Sequence, residues 1–164
     1  MPARRIALAL VVAFACSRAP EQQQQQAAAP ATTMTLTSSA FTNNGAIPAK
    51  YTCDGANLSP PLAISGVPPG AKSLALTVED PDAPGGTFTH WLVWKIPPAT
   101  TSIGDGQRPG VEEQNGFGKY GYGGPCPPNG LHHYVFTLYA MADEAMPSKG
   151  KVIAQTQLIG TYKR

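Results

Sequence analysis

The sequence predicts an all-β fold, an antiparallel β-sandwich with little helix, on three observations. Five short runs are rich in β-branched and aromatic residues. Glycine and proline, 17 of each, gather in the loops between those runs. No stretch shows the apolar spacing of an amphipathic helix. Short strands joined by turn-rich loops bury their apolar faces best as two packed sheets. A chain of 164 residues carries about one domain of this kind, with enough core to need no metal.

The elements follow in order. In "MPARRIALALVVAFACSRAP", two arginines precede an apolar run too short to span a bilayer, so residues 1–16 read as an export signal. "AFAC" fits either an ordinary Ala-x-Ala cleavage site or a loose bacterial lipobox that would lipidate Cys16. The second reading is preferred, because residues 17–33, with "EQQQQQAAAP", have almost nothing to bury and read as a tether. The protein is therefore expected at the cell envelope, membrane-anchored, with free secretion or a soluble periplasmic form as the alternative. The domain, residues 34–164, opens with "MTLTSSAF" and continues through "SLALTVED", "FTHWLVWKI", "HHYVFTLYAM" and "KVIAQTQLIGTY" as strands. "SGVPPG", "APGG" and "GGPCPPNG" are the intervening loops.

Net charge is +2, with 13% charged residues and no basic cluster, which gives no electrostatic footprint for nucleic acid. If Cys16 takes lipid, Cys53 and Cys126 remain as an even pair in an oxidising compartment and are expected to be bonded; two buried free thiols are the alternative.

The chain has three histidines, His90, His132 and His133, each at the start of a strand after a Gly/Pro-rich loop. Asp80, in "DPDAP", ends a strand in the same way. Three chemistries could use such a set. Two histidines and a carboxylate could face a metal, though no local spacing specifies it. Hydrolysis would need an activated serine, and no serine stands in a "GxSxG" elbow or beside a histidine. The third is an anion pocket, in which imidazoles hold the ligand and a carboxylate fixes the ring tautomer.

"DPDAP" followed by "THW", then "YGGPCPPNGLHHYVF", together with "YTCDGANLSPPLAISGVPPGAKSLAL" and the closing "QLIGTY", resembles the phosphatidylethanolamine-binding protein family. The likeness is to its bacterial branch, often labelled Raf kinase inhibitor-like, and runs from about Leu36 to Tyr162. It implies a β-sandwich with a small pocket for phosphoryl groups of phospholipid heads or nucleotides, and for acetate-like anions. Carried over by motif, the pocket would be lined by Asp80, His90, Gly124, Pro125, His132 and Tyr134. No cofactor or metal is implied. Asp80 would accept a hydrogen bond from an imidazole, since a carboxylate repels an anion directly, and Asp82 would cap its own turn.

Two features depart from the family. Only "MADEAMPSKG" separates the "LYA" strand from the last strand, where bacterial relatives carry a short helix. The long C-terminal helix of eukaryotic members is also absent, so kinase inhibition is not carried over. The expected function is non-enzymatic anion binding. The alternatives are a protein-interaction module acting as a protease or kinase inhibitor, and a hydrolase or metalloenzyme using Asp80, His90 and His132.

Overall fold

The computed structural model describes residues 33–148 and 150–164. The export signal, Cys16 and nearly all of the expected tether lie outside the described residues. In chain order the strands are β1 (Thr35–Thr37), β2 (Gly45–Ala46), β3 (Leu62–Ser65), β4 (Ser73–Asp80), β5 (Phe88–Ile96), β6 (Ser102–Ile103), β7 (Val111–Glu112), β8 (Leu131–Met141) and β9 (Val152–Lys163). One 3-10 turn, Ala49–Tyr51, is the single helical element among the described residues. The runs "SLALTVED" and "FTHWLVWKI" coincide with β4 and β5.

Two sheets form, a small one ordered β1-β3-β6 and a large one ordered β2-β9-β8-β4-β5-β7. The sandwich is antiparallel as expected except at one edge of the large sheet, where β2 runs parallel to β9 with Gly45 opposite Gly160. The chain leaves β1 in the small sheet, turns through Asn44 at a left-handed φ of 62°, and arrives beside the last strand already pointing its way. Gly160 permits that approach: a Cβ there would stand 2.5 Å from Ile47 Cγ1.

Alternation along the strands builds the core. Leu74, Leu76 and Val78 of β4 stand opposite Ala140, Leu138 and Phe136 of β8. Leu36, Leu62, Ile64 and Ile103 of the small sheet join these residues and Trp91 and Val93 in one buried cluster, which makes the two sheets a sandwich. Fully burying each such side chain is worth about 1.5–3 kcal/mol. Lying centrally between β5 and β8, β4 is buried along almost its whole length.

The same pairing places the functional end. Because β4 runs antiparallel to both neighbours, its C-terminus meets the start of β5, with Asp80 opposite Phe88, and the start of β8, with Glu79 opposite Val135. Between Val78–Trp91 and Glu79–Thr89 the register slips by one residue, and His90 is the residue without a partner across the ladder. A bulge of this kind re-aims a side chain at a sheet end. Residues 142–151, between β8 and β9, hold turns and bends and no helix among the described residues; Ala142 N–H donates to Lys151 O at 2.8 Å.

Candidate functional site

Asp80 ends β4 with a buried carboxylate, 3% exposed, and both its oxygens are engaged. Oδ1 accepts the N–H of Asp82 at 2.9 Å, an Asx turn that fixes the way the chain leaves the strand. Oδ2 accepts a hydrogen bond from His132 Nδ1 at 2.7 Å. A carboxylate has no proton to give, so the hydrogen lies on Nδ1 and Nε2 is the free ring nitrogen. The acid that organises the turn is thus Asp80, not Asp82 as expected. Asp82 reaches across instead to the start of β8, accepting the N–H of His133 at 2.8 Å and its Nδ1 at 2.7 Å. The His133 hydrogen bonds hold the Asp82 carboxyl below the usual carboxylate range.

His90 is pinned by backbone. Its Nδ1 lies 2.6 Å from Gly123 O, and Gly123 N–H donates to His90 O at 2.8 Å, a reciprocal pair that ties the loop to β5. A carbonyl only accepts, so Nδ1 again carries the hydrogen and Nε2 is left over. The ring stands edge to face with Phe88, Phe117 and Tyr134, at centroid separations of 5.1, 5.4 and 5.1 Å. Burial pushes the His90 imidazole below its ordinary value, against the opposing pull of the Gly123 carbonyl and the Asp80 charge. The ring is therefore neutral at neutral pH and offers Nε2 as an acceptor.

Asp80, His90 and His132 line one cavity of about 180 Å³, walled by Pro84, Phe88, Phe117, Pro127 and Pro128. Three of the walls are prolines, which have no N–H to donate. The other expected site residues are placed differently. Tyr134 is wholly buried beside the His90 ring, and its hydroxyl has no hydrogen-bond partner among the described residues. Burial, reinforced by the Asp80 charge, drives that phenol far above its ordinary value. Gly124 lines a neighbouring cavity and gives its N–H to Asn57 Oδ1 at 2.7 Å. Pro125 spends its carbonyl on Cys53 N–H at 3.1 Å and lines neither cavity.

Cys53 and Cys126 form the expected disulfide, with Cα atoms 5.5 Å apart. It staples the loop carrying Pro127 and Pro128 to the turn after Tyr51, so one wall of the histidine cavity hangs on it. The aromatic wall was not foreseen from sequence. Phe117 stands in "NGFGKYG", where the glycines signal a tight loop but not its direction.

The phosphatidylethanolamine-binding protein family model matches residues 37–163. The chain belongs to that family. A UPF0098 protein of Methanothermobacter thermautotrophicus is 43% identical over 150 residues, covering 80% of this chain and 99% of that protein. The Mycobacterium tuberculosis protein named "Putative lipoprotein LppC" is 48% identical over 146 residues, covering 79% of this chain and 72% of its own length. Among solved structures, Escherichia coli YbcL, described as a new member of the mammalian PEBP family, superposes with a TM-score of 0.74 at 32% identity, over 80% of this chain and 98% of YbcL. Chlamydia trachomatis CT736 gives 0.75 at 40% identity, over 81% and 99%. As a family member, this chain shares the fold of those relatives, and the described residues between its β8 and β9 hold turns and bends.

Proposed function

We propose that the protein is a non-enzymatic binding protein whose histidine cavity takes a small anion, above all the phosphoryl group of a phospholipid head or a nucleotide, and that a lipid on Cys16 holds it at the cell envelope. The observation that carries the binding reading is the pinning of both imidazoles through Nδ1. Each ring is oriented before any ligand arrives, so little ordering cost remains at binding. Each has one free nitrogen, which donates to an anion once protonated. Asp80, with both oxygens satisfied, supports His132 and has no lone acceptor duty toward the ligand. Among the described residues no serine, threonine or free thiol lines the cavity, which supports binding over acyl or phosphoryl transfer. Similarity to the "Putative lipoprotein LppC" supports the envelope reading.

The protonation states set the test. Nε2 of a neutral His90 repels an anion's oxygen, whereas the imidazolium donates to it. For a phosphodiester, whose charge does not change over the range, affinity rises as pH falls through the lowered His90 value, below the ordinary imidazole value of about 6.5. Calorimetric titration with a short-chain phosphatidylethanolamine from about pH 8 to about pH 5 reads this directly. His132→Ala should weaken binding by about 1.5–3 kcal/mol, the worth of a hydrogen bond to a charged group. Binding by His90→Ala and by His132→Ala equal to that of the unaltered protein, with no pH dependence, refutes the histidine site.

A further inference from the structure

On the far side of Phe117 and Cys126 from the histidines lies a second cavity, of about 200 Å³, lined also by Cys53, Asn57, Lys119 and Gly124. Phe117 and Cys126 face both cavities. Their hydrogen-bonding characters are opposite. The histidine cavity presents a carboxylate, two ring nitrogens and prolines. The second has, among the described residues, no aspartate or glutamate in its lining and presents donors.

Those donors are fixed in place. Asn57 accepts Gly124 N–H through Oδ1 at 2.7 Å, which settles the orientation of its amide and leaves the Nδ2 group without a partner among the described residues. Lys119 makes no ion pair among the described residues, and it is carried by a braced hairpin. Asn115, buried beneath it, accepts the N–H groups of Phe117 and Lys119 at 2.9 and 3.2 Å and donates to Gly121 O at 2.8 Å. Asp54, the residue after Cys53, is already taken by Arg164 Nε at 3.1 Å and Tyr162 OH at 2.8 Å. The floor is glycine by necessity. A Cβ on Gly123 would stand 2.6 Å from the Phe117 ring, and one on Gly124 would stand 2.6 Å from Asn57 Oδ1.

We propose that this cavity is a second binding site, for a fully ionised oxyanion such as a carboxylate or phosphoryl group, held by the Lys119 ammonium and the Asn57 amide. A lysine ammonium offers three N–H donors on a point charge, whereas the histidine cavity can receive an anion only through imidazole nitrogens, so the two cavities recognise an anion through different groups.

Inorganic phosphate and acetate, titrated separately at about pH 8 and constant ionic strength with amide shifts followed by NMR, test it. The expected result is saturable movement of the Asn57 side-chain amide and the Lys119 and Gly124 backbone signals while those of His90 and His132 stay put. Saturation by phosphate alone, by acetate alone or by both identifies which oxyanion class the site takes. Lys119→Met, an exposed change that leaves the fold intact, should lower affinity by about tenfold or more, the loss expected when a charge-assisted hydrogen bond is removed. In the same variant, phosphatidylethanolamine binding near pH 5 should be unchanged, so failure at one cavity is read separately from failure at the other. Saturation by neither anion, or equal affinity in Lys119→Met, overturns the proposal.

Discussion

Removing the Cys53–Cys126 bond should lower stability by an amount that follows from its span. The bonded residues are 73 apart in sequence, and the chain-entropy relation for a closed loop of that length gives about 4.4 kcal/mol at 25 °C. Unfolding a domain of roughly 130 residues carries an entropy of about 0.27 kcal/mol per kelvin, so the melting temperature should fall by about 16 °C. The perturbation is the double substitution Cys53→Ala and Cys126→Ala, compared with the intact protein with and without reductant by calorimetry. Reduction should reproduce the shift of the substitution, because both open the same loop. The histidine cavity provides a second readout. Cys126 lines it and holds Pro127 and Pro128 in its wall, so anion affinity should drop along with stability even well below the melting temperature. A shift under about 4 °C would mean that the loop is held closed in the unfolded ensemble by something other than the disulfide, and the reasoning fails. So does the finding of two alkylatable thiols in the denatured, unreduced protein.

Two further outcomes are expected. Asp80→Asn keeps Oδ1 for Asp82 N–H but turns an amide N–H toward His132 Nδ1, so the ring hydrogen moves to Nε2 and a charge-assisted hydrogen bond at a buried site becomes a neutral one, lowering stability by about 1 kcal/mol in urea unfolding; His132 keeping its hydrogen on Nδ1 in the variant, read from the ring nitrogen shifts, would sink the assigned tautomer. Cys16→Ala should move the protein from the membrane fraction to the soluble one, and an unaltered protein already soluble, with its N-terminus elsewhere, would end the lipoprotein reading.

The long strands were legible because burial on one face forces a pattern on the sequence. "SLALTVED" shows its alternating leucines, and its ends fall at the ends of β4. Of the short strands, only β1, inside "MTLTSSAF", was legible. β3 is four residues, Leu62–Ser65, crowded between Pro60–Pro61 and the "SGVPPG" turn, and β2, β6 and β7 are two residues each. Such pieces pair because long neighbours offer them an edge, and that offer is made by tertiary structure. The site divides the same way. Asp80 as the acceptor for an imidazole was foreseen from the motif. That His90 is held by the Gly123 carbonyl was not, since every residue has a carbonyl and none advertises it. The bulge that leaves His90 unpaired arises from the register of β4 against β5, which no local pattern specifies.

The two acids of "DPDAP" acquire separate reasons in the folded chain. His132 and His133 are consecutive in β8, so their side chains leave opposite faces of the sheet, one buried and one exposed. Asp80 meets the buried ring and Asp82 the exposed one, each at 2.7 Å. A single aspartate could orient His132 but would leave the loop hinged at one point. The second contact, on the other side of the strand, fixes the loop against rotation about that hinge, and Pro81 and Pro84 remove much of the backbone freedom that remains. Ala83 and Pro84 of this clamped loop line the histidine cavity. The loop's rigidity is therefore a property of the site: the outer Asp82–His133 pair, which lines neither the histidine cavity nor its neighbour, holds the wall still, and on the proposed anion reading this would lower the ordering cost of binding.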